Sequence, residues 1–262
     1  MEIDLTGKRA LVCGASSGIG RAAANELASM GAQVMLLARK SARLDIALVE
    51  LLEAYPSALH GKIEADVNEP ASLGSTLQNL TANGPVHILV NNTGGPPGGP
   101  ISQATAAGFL SAFHQHLLAN HLIAQALIPG MRDAGYGRII NVISTSVKEP
   151  LRDLGVSNTI RGAVATWAKT LAMEVAADGI TVNNVLPGFT RTARLQTIIE
   201  SKILKSDKTQ AQIIFEMFEE VPMRRFAEAS EVAAAIAFLA SPAASYITGI
   251  NIPVDGGRTR SL

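Results

Sequence analysis

Residues 9–21, R-A-L-V-C-G-A-S-S-G-I-G-R, constrain this chain more than any other stretch. The apolar run at 10–13 has the length of a strand buried on both faces, and an Ala-rich helical pattern begins a few residues later. Between them stand Gly14, Gly18 and Gly20, interleaved with Ser16, Ser17 and Ile19. A strand that breaks into a glycine loop and resumes as a helix gathers backbone N–H groups at the positive end of that helix, which suits an anion such as a diphosphate. The glycines have a plainer use as well, packing the helix closely on the strand, and the spacing G-x-x-x-G-x-G is not G-x-G-x-x-G.

The rest of the chain alternates in the same way. Further strands are expected at 32–38, 62–66, 86–90, 138–142, 180–186 and 249–254. Helical patterns lie at 41–54, 70–82, 103–134, 157–177, 194–220 and 229–239, with Asn68-Glu69-Pro70 as the cap of the second of these. Such alternation predicts an α/β fold, a doubly wound parallel sheet of about seven strands with helices on both faces. With 262 residues, 47% of them hydrophobic and only 17% charged, the chain suits one domain spanning 1–262. Residues 94–100 hold four glycines and three prolines and must form a loop after the fourth strand, where an open parallel sheet places its ligand crevice. The charged, poorly capped stretch within about 190–225 is expected to be a mobile substrate lid.

These motifs together resemble the short-chain dehydrogenase/reductase family, and within it the 3-oxoacyl-acyl-carrier-protein reductases. The glycine loop matches with Cys13 where threonine is usual; Asn91-Asn92-Thr93-Gly94 matches the Asn-Asn-Ala-Gly block; Pro187-Gly188-Phe189-Thr190-Arg191-Thr192 matches P-G-x-x-x-T. The resemblance covers nearly the whole chain and implies a Rossmann fold that binds a nicotinamide dinucleotide. Its implied contacts are Gly14, Ser16, Ser17, Gly18, Ile19 and Gly20 on the diphosphate side, and Asp66 and Val67 beside the adenine. Asn92, Thr93 and Gly94 close over the cofactor, while Pro187, Gly188, Thr190 and Thr192 hold the nicotinamide end. The second strand ends in Ala38-Arg39-Lys40, where a site for NAD usually carries an acid. Arg39 suits a 2′-phosphate, so NADP is expected over NAD, with a solvated basic loop as the alternative reading.

The family's catalytic Asn, Ser, Tyr and Lys are mostly absent. Registering the chain through 137–142 and 167–174 places Ser144 at the serine, Ser157 at the tyrosine, Arg161 at the lysine and His116 at the asparagine. Tyr55, Tyr136 and Tyr246 are the only tyrosines, and none falls in that helix. An aliphatic hydroxyl is a far weaker acid than a phenol, so Ser157 does not inherit the proton. His116 is the expected proton carrier because histidine titrates near neutrality; a helix histidine bonded to backbone is the plain alternative. Arg161 is expected to grip the cofactor ribose or to fork onto a substrate carboxylate or phosphate.

Formal charge is zero, from 22 basic and 22 acidic residues, so nucleic acid and anionic membrane surfaces are not expected partners. One cysteine excludes an internal disulfide, and with no apolar leader the cytoplasm is the expected location. His114, His116 and His121 share a helical stretch, but 114 and 116 point roughly 200° apart, and no metal is expected. The expected activity is hydride transfer between NADP and a carbonyl or alcohol substrate. A catalytically silent dinucleotide-binding protein and a non-redox lyase remain alternatives. Family helices that pair across subunits imply a homotetramer or homodimer.

Overall fold

The computed structural model describes residues 1–39 and 42–261; Lys40, the second cation expected after the second strand, and Ser41, the expected start of the next helix, lie outside them, as does Leu262. Seven strands, β1 (Arg9–Cys13), β2 (Gln33–Ala38), β3 (Gly61–Glu64), β4 (Ile88–Asn91), β5 (Gly137–Val142), β6 (Ile180–Pro187) and β7 (Asn251–Val254), form one parallel sheet. Their order is β3-β2-β1-β4-β5-β6-β7. The order reverses at β1, where Ala10 pairs with Val34 of β2 on one side and Ile88 of β4 on the other. Diverging connections there open a crevice beyond the carboxyl ends of β1 and β4.

Helices cover both faces. On one, α1 (Gly18–Ser29), α2 (Ala42–Ala54) and α9 (Ala229–Ala240) bury Leu27, Leu44, Leu51 and Ile236 against Val12, Val34 and Leu36. Ala23, Ala24, Ala233 and Ala237 let α1 and α9 approach closely. On the other, α3 (Pro70–Ala82), α5 (Ala119–Asp133) and α6 (Gly155–Val175) bury Leu73, Leu77, Ile123, Leu127 and Ala168 against Leu11, Leu89 and Ile139. The sheet is therefore apolar on both sides, as parallel strands joined by crossover helices require.

A polar row crosses this sheet at the crevice end. Asn91 Nδ2 donates to Asn141 Oδ1 (2.9 Å), Asn141 Nδ2 to Asn184 Oδ1 (2.9 Å), and Asn184 Nδ2 to Asn251 Oδ1 (2.8 Å). The four residues are Cα partners in register from β4 to β7. Each side-chain amide donates to the next carbonyl, which offsets most of the desolvation of these polar side chains, while Asn91 Oδ1 at the buried end has no partner among the described residues.

Three sequence expectations are corrected. The helix expected over 103–134 starts later and is not uniform: a short turn at Ile101–Gln103 precedes α4 (Ala106–Phe113), whose first turn Thr105 caps, and a π turn, His114–Leu118, carries α4 into α5 without a gap. Asn68 does not cap α3. Its backbone and side-chain nitrogens donate to Asp66 Oδ1 at 2.9 and 2.8 Å, and Glu69 precedes Pro70 as the capping residue without a side-chain bond. The stretch 194–220 is two helices rather than one, and only the first lacks a side-chain cap. It forms α7 (Ala193–Leu204) and α8 (Gln210–Glu219), the second opened by a reciprocal Thr209–Gln212 capping box.

Candidate functional site

The glycine loop lies at the switch point and is held open by close backbone contacts. Gly14 and Gly18 take φ values of +61° and +57°. A Cβ on Gly14 would stand 2.7 Å from Asn92 Nδ2, and one on Gly20 would run into the Gly14 carbonyl oxygen. Packing and ligand approach therefore draw on the same residues. Ser17 precedes α1 in an extended conformation (φ −167°), its hydroxyl caps nothing, and no acidic side chain occupies the first turn. The first amides of α1 thus point into the crevice without a side-chain acceptor, at the positive end of the helix. Ser16 and Ile19 are half-buried beside them, Ile19 packing on the core. This cradle fits a dinucleotide diphosphate.

Cys13, just before the loop, is wholly enclosed and its thiol is pushed up to about 12 by burial, so it serves as strand packing rather than as a nucleophile. Asn92 spends its amide on the Cys13 and Gly14 carbonyls at 3.3 and 3.5 Å, bracing the loop. At the end of β2, Arg39 is exposed beside buried Ala38, and Ala65 N donates to Ala38 O, which brings Asp66 and Val67 to the same edge. Opposite, the turn after β6 is tightened by Thr190 Oγ1 donating to Gly188 O (3.2 Å) and Thr192 Oγ1 to Thr190 O (3.3 Å). The Thr192 methyl comes within 3.2 Å of the Cβ position of Gly18, so the Pro187–Thr192 turn and the glycine loop face each other across the crevice.

The second group of residues gathers around Thr93. Thr93 Oγ1 and His116 Nδ1 share a hydrogen bond of 2.6 Å, while Arg161 Nη2 donates to Thr93 O (3.4 Å) and Arg161 Nη1 to Val142 O (3.0 Å). His116 sits in the π turn and is 1% exposed, with Nε2 buried and unpartnered. Burial first, then the Arg161 charge, lower its pKa to about 3. The expectation that His116 titrates near neutrality fails: it is neutral at physiological pH, because protonation would put a second cation in a dry pocket. Arg161 is 7% exposed, its Nε also unpartnered, and burial followed by Arg194 brings its pKa down to about 10. It keeps its charge at neutral pH.

Ser144 follows β5 in an extended conformation (φ −168°), and its Oγ accepts a hydrogen bond from Ser146 N (3.1 Å), which leaves its own O–H free to donate. Ser157 is half-buried one helical turn before Arg161 on α6. Gly94 and the loop that follows are fixed from several sides. Gly94 O accepts from Gln115 Nε2 (3.1 Å), Pro96 O from Arg194 Nη2 (2.9 Å), Gly99 N donates to Asp153 O (2.6 Å) and Gly155 N to Gly99 O (3.1 Å). The loop is thereby tied to the start of the helix that carries Ser157 and Arg161. His114 and His121 belong elsewhere, edge-on to Phe113 and Trp167 respectively. Among the described residues no group of three or more His, Cys, Asp or Glu side chains is placed to hold a metal.

Sequence reasoning missed Arg194 and Asn141. Asparagines inside otherwise apolar strand runs were the available signal for the second; nothing local announces the first.

Residues 14–259 match the family model described as enoyl-(acyl carrier protein) reductase. The chain belongs to the short-chain dehydrogenase/reductase family. It is 35% identical over 254 residues to the 3-oxoacyl-[acyl-carrier-protein] reductase of Salmonella typhimurium, covering 96% of this chain and 97% of that protein. It is 28% identical over 256 residues to an NADPH-dependent reductase of Bacillus subtilis, covering 97% and 99%. The crystal structure of L-sorbose reductase from Gluconobacter frateurii, complexed with NADPH and L-sorbose, superposes with a TM-score of 0.94 at 31% identity over 100% of both chains. The protein is thus an oxidoreductase of the short-chain type, and no helix among its described residues is long and apolar enough to cross a membrane.

Proposed function

We propose that this short-chain oxidoreductase moves hydride between NADP(H) and a small carbonyl or alcohol compound, with an atypical set of side chains at the reacting oxygen. The observation that carries the reading is the cradle itself: an uncapped α1 N-terminus behind Gly14, Gly18 and Gly20, faced by Thr192 across the crevice. Arg39, in place of an acid at the β2 end, supports NADP as the cofactor, as does the NADPH named for the related reductases. When bound, NADPH supplies hydride to a carbonyl carbon, whose π pair moves to oxygen and takes one proton from solvent.

The chain's own residues act on that oxygen and on the cofactor. The free O–H of Ser144 is the donor we assign to the carbonyl, and we assign the Ser157 hydroxyl on α6 as a relay to water. Arg161 supplies fixed positive charge where negative charge develops, which a preorganised cation does without reorganising solvent. Asp66 and Val67 flank the adenine, backbone groups of Asn92 to Gly94 line the ribose, and Pro187, Gly188, Thr190 and Thr192 hold the nicotinamide end. His116, neutral and bonded to Thr93, positions the loop rather than trading protons.

Residues 190–225 form the substrate lid in this reading. Leu195, Ile199, Ile213, Met217 and Phe226 make an apolar cluster of their own, separate from the two cores on the sheet, so α7 and α8 can shift as a unit. A homodimer or homotetramer in the cytoplasm completes the proposal, supported by exposed Leu110, Phe113 and Met173 on α4 and α6. Light scattering at micromolar protein decides the assembly. Calorimetry with NADPH, followed by NADPH consumption against a panel of ketones and aldehydes, decides the activity. Tight binding without turnover transfers the reading to a silent binder, and absence of binding overturns it.

A further inference from the structure

Two arginines converge on one glycine at the substrate side of the crevice. A Cβ built on Gly95 would lie 3.6 Å from Arg194 Nη2 and 3.9 Å from Arg161 Nη2. Arg161 comes from the middle of α6 and is 7% exposed; Arg194 comes from the first turn of α7 and reaches over to Pro96 O. Their hydrogen bonds go to backbone carbonyls alone, Thr93 and Val142 for Arg161 and Pro96 for Arg194. Neither has a carboxylate partner among the described residues, and no Asp or Glu occurs anywhere between Glu69 and Asp133, the span that supplies β4, the loop and α4. The nearest imidazole, His116, carries no compensating charge and is itself lowered by Arg161.

An enclosed guanidinium with an unpartnered Nε, beside the exposed cation of Arg194 that repels it, is an unfavourable arrangement by itself. A bound oxyanion turns both costs into attraction, since arginine offers paired in-plane N–H donors that match a carboxylate. The loop between them argues for a carboxylate over a phosphate. Pro96 and Pro97, which follow Gly95, have no N–H and add no amide donors there, so the planar guanidinium donors predominate.

We propose that Arg161 and Arg194 form an anion clamp over Gly95, and that the substrate is a carbonyl compound carrying a carboxylate, reduced to the corresponding hydroxy acid. This rests on the reductase reading. The carboxylate is not altered in the reaction: hydride adds to the carbonyl carbon, the oxygen takes one proton, and the cofactor leaves oxidised. The other source of the same chemistry is the cofactor diphosphate, and the test separates the two.

The experiment compares straight-chain 2-oxo, 3-oxo and 4-oxo acids, each beside its methyl ester, in NADPH consumption by the full-length protein, with NADPH affinity measured alongside. The expected result is that one acid exceeds its ester in kcat/KM on the order of 10- to 100-fold. Arg194→Ala should erase most of that ratio through KM without weakening NADPH, and Arg194→Lys should restore part of it. Reduction of neutral esters as well as acids, with NADPH bound, overturns the clamp and leaves the reductase reading standing. Loss of NADPH affinity in Arg194→Ala assigns the arginine to the diphosphate and also overturns the clamp. If nothing turns over, calorimetry of the same acids on the NADP complex decides: binding that Arg194→Ala abolishes upholds the clamp while the reductase reading falls, and no binding overturns it.

Discussion

Thr93 Oγ1 and His116 Nδ1 lie 2.6 Å apart, and that bond joins the strand end over the cofactor crevice to the π turn between α4 and α5. His116 is held neutral by burial and by Arg161, down to about 3. Unfolding frees it to take a proton near its ordinary value of about 6.5, so the unfolded chain binds more protons between those limits. Its contribution to stability is therefore complete above about pH 6.5 and is lost as pH falls toward 3, by at most about 5 kcal/mol. His116→Gln keeps a polar partner for Thr93 without the titration, so its urea midpoint should change less between pH 7 and pH 4 than that of wild type. The pH–rate profile of wild type should show no step assignable to His116 between about pH 5 and 8. Equal acid sensitivity in the two proteins would show that His116 is protonated in the fold.

The asparagine row from β4 to β7 has its weakest point in the middle. Asn141 both accepts from Asn91 and donates to Asn184, and all three side chains are buried. Asn141→Leu keeps the volume but strands an amide on one side and a carbonyl on the other, costing about 2–5 kcal/mol in urea unfolding. Asn251→Leu, at the half-buried end of the row, should cost about 1 kcal/mol. Similar losses for the two would mean that the amides act separately.

Glycines separate into those the fold cannot replace and those it can. Gly20→Ala drives a methyl into the Gly14 carbonyl, so α1 must shift and the diphosphate cradle opens. NADPH affinity should fall by more than about 100-fold, with stability lost as well. Gly74 lies within α3 with no atom near its Cβ position, and Gly74→Ala should stabilise by about 0.5–1 kcal/mol without touching cofactor binding. Thermal melts and calorimetry on the two variants check both halves.

The alternation of apolar runs and helical patterns carried the sheet, its parallel sense and its glycine loop, because burial on both faces leaves a strand few other compositions. The bounds 70–82 of α3 stood, but its cap was misplaced because Asn68 serves the preceding turn by bonding to Asp66. The π turn at His114–Leu118 left no trace in the periodicity, since one extra residue in a turn preserves an apolar stripe on either side of it. His116 was found by register but its chemistry was misjudged: type and position were local, whereas the burial and the Arg161 charge that neutralise it come from α6 across a fold contact. Arg194 was invisible for the same reason, as its approach to Gly95 joins segments about a hundred residues apart in sequence.

Cofactor choice turns on the end of β2. Arg39 is exposed there with no acid in the strand to repel a 2′-phosphate, so NADPH should bind more tightly than NADH. Arg39→Ala should weaken NADPH on the order of 10-fold and leave NADH unchanged. Calorimetry with both cofactors reads this directly, and an unchanged preference would mean that the arginine is only solvated.

The side chains on α6 can be tested by giving back what the family usually has. Ser157 and Arg161 stand one turn apart, and Arg161 reaches the Thr93 and Val142 carbonyls at the crevice. Ser157→Tyr with Arg161→Lys returns a phenol and an ammonium to the same helical face. A phenol alone keeps a pKa near 10, whereas a neighbouring ammonium favours the phenolate and lets the group trade protons near neutrality, so both changes are needed together. With a neutral ketone the double variant should turn over faster than wild type by about 10²-fold or more, the usual contribution of a placed general acid. Its profile should also gain a pH step that wild type lacks. Ser157→Tyr alone should give little of this gain, since Arg161 is committed to two carbonyls and is lowered only to about 10. If NADPH binds normally and the double variant is no faster than wild type, the two positions do not face the reacting oxygen.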